Sequence, residues 1–137
     1  MVNPIQVPDE ATLARWRTTG TVLVADDENG VRELLRSVLE RAGFNVVVAE
    51  DGRAAVEAFR PIADSVTLAL IDLTMPELDG RETLAAMRGI KPDLRAVLMS
   101  GYSPADLLKA ESYGFLQKPF APYTVRKAVW KAVTLGT

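Results

Sequence analysis

From Thr21 onward, short apolar runs alternate with stretches whose apolar residues recur at helical spacing. Val22–Ala25, Val46–Ala49, Leu68–Ile71, Ala96–Met99 and Phe115–Gln117 form the runs. They do not alternate apolar with polar, which predicts strands of a parallel sheet covered on both faces. After the first run, Val31, Leu34, Leu35, Val38, Leu39 and Ala42 fall on one helical stripe. Asn29 is a candidate cap at its start, and Gly43 sits where a helix end favours a left-handed residue. A second helix is predicted over Gly52–Arg60, packing through Ala55, Val56 and Phe59 and stopped by Pro61. A third opens at Asp79–Gly80 and runs to about Gly89, and a short fourth begins at Pro104. The last starts at Pro122 and packs through Val125, Ala128, Val129, Ala132 and Val133.

Residues 1–20 read differently. Pro4, Pro8 and Thr18–Thr19–Gly20 mark a linker, with a short helix predicted from Asp9 to about Arg17 because Asp9 and Glu10 suit a helix start. The domain proper is then residues 21–137, a length that supports one core. Five βα units joined by right-handed crossovers make an α/β fold with an open, doubly wound parallel sheet. Ligands of such sheets sit beyond the carboxyl ends of the strands, at the switch point of the winding. Asp26, Asp27, Asp72, Ser100 and Lys118 each follow an apolar run, so this fold places all of them along one edge.

Composition narrows the chemistry. The net charge of −2 offers no basic field for nucleic acid or an anionic membrane. No apolar run is long enough to span a bilayer, and no basic-then-apolar leader opens the chain, so a cytoplasmic location is expected. The chain has no Cys, which excludes disulfides and thiolate metal sites. It also has no His, which removes Ser/His/Asp triads, HExxH zinc sites and any phosphohistidine of its own. Asp, Glu, Lys, Ser and Thr remain.

Singly, these residues say little: an Asp pair after a strand usually starts a helix, and a Lys before Pro usually points into water. Their common placement after successive strands is what carries information. Two unit charges about 4 Å apart repel by roughly 4 kcal/mol at an effective dielectric near 20. Asp26, Asp27 and Asp72 in one pocket must therefore either protonate one member or bind a cation. A hard ion with few carboxylates and room for water and phosphate suits Mg²⁺ better than Ca²⁺. Lys118 adds a second positive charge, and cationic groups around one carboxylate are what phosphoryl transfer requires. Ser100 offers a hydroxyl donor to a phosphoryl oxygen.

VLVADDE at 22–28, LALIDLTMPELDG at 68–80, VLMSGY at 97–102 and FLQKPF at 115–120 resemble the receiver domain of two-component response regulators, in family order. The resemblance covers about residues 21–135. It implies a five-stranded, flavodoxin-like sheet of order 2-1-3-4-5. It implies Asp72 as phosphoacceptor, with Asp27, Asp72 and the Thr74 backbone carbonyl holding Mg²⁺ (Mn²⁺ as a substitute) and Asp26 acting on the ion mainly through water. It makes Ser100 the switch hydroxyl, Lys118 the phosphate-contacting lysine and Phe115 the aromatic that changes rotamer, with a cis Lys118–Pro119 bond. The implied partner is a histidine kinase or a histidine phosphotransfer domain. The chain departs from the family between Ser100 and Lys118, which is about one helical turn short. Ser112–Tyr113–Gly114 also replaces the usual approach to the fifth strand. A shortened fourth helix over about Pro104–Ser112 is expected to disfavour dimerisation and leave a monomer.

Three other readings compete with this one. A haloacid-dehalogenase-like phosphatase needs a second Asp two residues after its nucleophile, where this chain has Thr74. P-loop and dinucleotide-binding enzymes need GxxxxGK[ST] or GxGxxG, which do not occur. The third is a receiver-like interaction domain that signals without phosphorylation. Arg17–Thr18–Thr19–Gly20–Thr21 running straight into the first strand is similar to the lead-in of C-terminal receivers of hybrid histidine kinases. Such an origin is the first expectation, and a stand-alone regulator the second. No enzymatic activity beyond phosphoacceptance is expected.

Overall fold

The computed structural model describes residues 6–101 and 114–135. In chain order the elements are α1 (Glu10–Arg15), β1 (Thr21–Ala25), α2 (Asn29–Arg41), β2 (Asn45–Ala49) and α3 (Gly52–Phe59). A 3₁₀ turn (Arg60–Ser65) leads into β3 (Val66–Asp72), followed by α4 (Gly80–Ile90), β4 (Ala96–Ser100), β5 (Gly114–Gln117) and α5 (Pro122–Leu135). The expected helix at 104–112 lies outside the described residues. All strand pairs are parallel, in the order β2-β1-β3-β4-β5. This is the doubly wound sheet expected from the apolar runs.

Alternate residues of each central strand feed opposite layers. Leu23, Ala25, Ala69, Ile71, Ala96 and Leu98 pack against α3, the 3₁₀ turn and α4 through Ala55, Phe59, Leu84 and Met87. Val22, Val24, Leu68, Leu70, Val97 and Met99 pack against α2 and α5 through Leu35, Leu39, Val125 and Val129. Burying each of the larger side chains is worth about 1.5–3 kcal/mol. A strand buried on both faces has no polar alternation, which explains the unbroken runs.

Three local details differ from the expectations or add to them. Asn29 does not cap α2; Glu28 is the N-cap, with no side-chain cap bond, while Asp26 Oδ1 accepts from the Glu28 N–H at 2.8 Å. Pro61 ends α3 without ending the turn, because the first positions of the following 3₁₀ turn need no N–H donor. The third concerns the lead-in read as a linker, described from residue 6 onward. Its short helix forms as α1, capped by the Asp9 side chain on Thr12 N at 2.8 Å, but it is docked. Leu13 is fully buried, and Trp16 meets Phe44 edge-on with ring centroids 6.0 Å apart. Arg126 Nη1 of α5 donates to the Leu13 carbonyl at 2.8 Å, and Thr18 N donates to the Ala42 carbonyl at 2.6 Å. Gly43, at φ 107°, lets that backbone pass where a side chain would collide with Thr18.

Candidate functional site

The carboxyl ends of β1, β3, β4 and β5 meet at the winding switch point, and each delivers one polar residue. Asp26 follows β1 and is fully buried, its N–H bonded to the Ala49 carbonyl at 3.1 Å. Its neighbour Asp27 is exposed. Asp72 ends β3, buried, with Oδ1 accepting from the Thr74 N–H at 3.3 Å. Ser100 ends β4, also buried, and its carbonyl accepts from the Lys118 N–H at 2.8 Å. Lys118 follows β5 and enters a cis peptide bond with Pro119, as the resemblance implied.

The loop after β3 is held tightly. Gly80 N donates to the Leu73 carbonyl at 3.0 Å, and a Cβ on Gly80 would stand 2.5 Å from the Asp72 carbonyl oxygen. Only glycine lets α4 begin that close to Asp72. Asp79 caps the same helix through a reciprocal capping box with Glu82, at 2.9 and 3.0 Å.

Lys118 Nζ lies 2.8 Å from Asp26 Oδ2, 3.2 Å from Glu28 Oε1 and 3.4 Å from Asp72 Oδ2. Burial alone would pull the ammonium pKa down, but the ion pair with Asp26, helped by Asp72 and Glu28, outweighs it and raises the pKa. Asp72 also rises, away from the range of an ordinary carboxylic acid: burial first, then repulsion from Asp26, raise its pKa to about 6. Lys118 and the Thr74 N–H oppose that rise without cancelling it. The ammonium therefore neutralises only part of the carboxylate charge.

Carboxylate oxygens of Asp26, Asp27 and Asp72 come within 4.8 Å of one another. Asp26 Oδ2 is buried and accepts no hydrogen bond among the described residues; the Lys118 charge is beside it, but not in bonding geometry. Hard oxygen donors around a carboxylate short of partners fit a small divalent cation such as Mg²⁺ or Mn²⁺. The adjoining cleft, about 590 Å³, is lined by Asp27, Glu28, Thr74, Gly101, Lys118 and Phe120 among others. It has room for a phosphoryl group beside such an ion.

The chain matches the response regulator receiver domain family over residues 22–130. The chain belongs to that family. It is 35% identical over 107 residues to the sensor kinase CckA of Brucella abortus, covering 75% of this chain and 11% of that protein. The chemotaxis protein CheY of Thermotoga maritima is 32% identical over 80% of this chain and 94% of its own length. Among solved structures, the response regulator TrrA of Thermotoga maritima, in complex with Mg²⁺ and BeF, superposes with a TM-score of 0.72 at 29% identity. That match covers 82% of this chain and 98% of TrrA. The chain thus spans a small part of the kinase and nearly all of the single-domain relatives. It is a receiver domain of two-component phosphorelay systems, and no helix among the described residues is long and apolar enough to cross a membrane.

Phe115 is half-buried on β5, opposite Leu98, and packs into the α3–α4 layer. Gln117 pairs with Ser100, so Ser100 and Phe115 share a sheet face on adjacent strands, offset by two residues. Sequence reasoning placed Asp26, Asp27, Asp72, Ser100 and Lys118 on one edge, and the structure has them there, with Thr74 of the resemblance lining the same cleft. It missed Glu28, whose pairing with Lys118 spans 90 positions in the chain. Its only sequence signal was its place in the VADDE stretch.

Proposed function

We propose that this receiver accepts a phosphoryl group from the phosphohistidine of a histidine kinase or phosphotransfer domain onto Asp72. The carrying observation is a buried carboxylate at the end of β3 with Lys118 3.4 Å away and two further carboxylates beside it. An Asp72 oxygen attacks phosphorus, the P–N bond breaks, and its electron pair leaves on the imidazole, which takes a proton from solvent. The burial and repulsion that raise the Asp72 pKa also make it a strong nucleophile once ionised. Asp26, Asp27, Asp72 and the Thr74 carbonyl would hold Mg²⁺ or Mn²⁺, which offsets charge on the phosphoryl oxygens. Lys118 exchanges part of its contact with Asp26, Asp72 and Glu28 for those oxygens, as a compact charge.

Switching follows from that exchange. Ser100 turns its hydroxyl toward the phosphoryl group, and Phe115 fills the space on the shared sheet face, biasing a two-state surface. The similarity to CckA supports an origin in a hybrid histidine kinase. An intracellular, monomeric domain without nucleic-acid contact fits the charge balance. Intact mass after acetyl phosphate treatment tests the proposal. One phosphoryl group is expected with Mg²⁺ and none with EDTA or in Asp72→Asn. Phosphorylation that ignores EDTA would remove the metal from the account.

A further inference from the structure

The docking of α1 builds a second cleft, of about 380 Å³, whose lining includes Glu10, Arg17, Arg41, Tyr123 and Arg126. The arginines come from three places: after α1, the end of α2, and the second turn of α5. Arg126 is buried; its Nη1 donates to the carbonyls of Leu13 and Trp16 at 2.8 and 3.3 Å. Arg17 Nη1 donates to the same Trp16 carbonyl at 2.9 Å. Two guanidiniums thus share one acceptor, which brings like charges side by side.

Neither of them, nor Arg41, pairs with a carboxylate among the described residues. Arg36 of α2, by contrast, pairs with Glu40 at 3.6 Å. Glu10 lines the cleft without pairing. Burial, followed by the charges of Arg17 and Arg41, holds the Arg126 guanidinium below its ordinary pKa. Lys127 adds a cation over the Tyr123 ring, 5.9 Å from its centre. Gathered positive charge that no carboxylate pairs with, one guanidinium of it buried, is costly, and a bound anion relieves that cost. Guanidinium forks match phosphate oxygens two at a time, and the cleft has the size of a small-molecule site.

We propose that this cleft binds a phosphate-bearing anion, independently of the acceptor site, and that the anion ties α1 to α2 and α5. Its source is either inorganic phosphate or pyrophosphate, or a small phosphorylated metabolite of nucleotide type, which shares the same anionic oxygens. The test uses the full chain in EDTA, titrated separately with pyrophosphate and with ADP. Calorimetry measures affinity, and the arginine Nε–H NMR signals locate the site. Saturable binding is expected, with shifts at Arg17, Arg41 and Arg126, and unchanged in Asp72→Asn. Arg17→Gln and Arg41→Gln alter exposed residues, and each should weaken binding about tenfold, the scale of one charge-assisted contact, while thermal denaturation confirms that the substituted chains are folded. Tighter binding of ADP than of pyrophosphate assigns a nucleotide; equal or weaker binding assigns the inorganic anion. No saturable binding of either, undiminished binding in the doubly substituted chain, or shifts confined to the acceptor cleft would overturn the proposal.

Discussion

Replacing Asp72 by Asn removes one carboxylate from a buried cluster of like charges, and its effect on stability should depend on pH. An Asp carboxyl titrates near 3.8 when unperturbed, whereas Asp72 in the cation-free fold titrates at about 6. The native state then holds this proton more tightly than the unfolded state. Stability contributed by the neutral form is present below about pH 4 and is lost as pH rises toward 6. About two units at 1.36 kcal/mol each give roughly 3 kcal/mol of destabilisation at pH 7.5, and about 0.5 kcal/mol at pH 4. Asp72→Asn, neutral at both, escapes this loss. In EDTA, its stability relative to the parent chain should therefore increase by about 2–3 kcal/mol between pH 4 and pH 7.5. Urea denaturation of both chains at the two pH values measures it. Adding Mg²⁺ at pH 7.5 should stabilise the parent chain and not Asp72→Asn, by mass action on the native state. A stability difference that stays constant across that pH range would show that Asp72 carries no burdened charge.

Lys118→Ala should still be phosphorylated with Mg²⁺ present, yet lose the phosphorylation-dependent NMR shifts at Phe115; shifts that persist would remove Lys118 from the switch. Asp79→Ala removes the side-chain acceptor for the Glu82 N–H, leaving only the backbone half of the capping box, and should cost about 1 kcal/mol in chemical denaturation; no loss would mean that α4 needs no cap. Leu13→Ala should cost about 2–5 kcal/mol, as a core truncation does, since Leu13 is fully buried; a change within about 0.5 kcal/mol would restore residues 1–20 to a linker. Gly80→Ala should destabilise the fold and slow phosphorylation together, because a Cβ there displaces the Asp72 backbone; a neutral outcome would mean that the loop yields freely.

The strands were legible because burial on both faces leaves nothing polar in them, as in Val22–Ala25 and Leu68–Ile71. The acceptor edge followed, because a parallel sheet puts every strand's carboxyl end on one side and so gathers Asp26, Asp72, Ser100 and Lys118. Long-range contacts were not legible. Leu13 shares the short stretch Ala11–Trp16 with three other apolar residues and nothing in its pattern marks it as core, and the Arg126 bond that anchors it crosses 113 positions. Asn29 looked like a cap because its type suits one, but the Asp26 side chain had already turned the backbone at Glu28. Pro61 marked the end of α3 correctly; nothing near it signalled that a 3₁₀ turn would carry on to Ser65.

The central claim is that the phosphoryl group resides on Asp72. Residue-level mapping tests it most directly: the phosphorylated chain is reduced with borohydride, which cleaves an aspartyl phosphate and marks its carbon skeleton, and the peptides are sequenced by mass spectrometry. A single mark at Asp72 is expected after exposure to a phosphohistidine donor. A mark at Asp26, Asp27 or any other position, or phosphorylation that leaves no acyl phosphate to reduce, would contradict it.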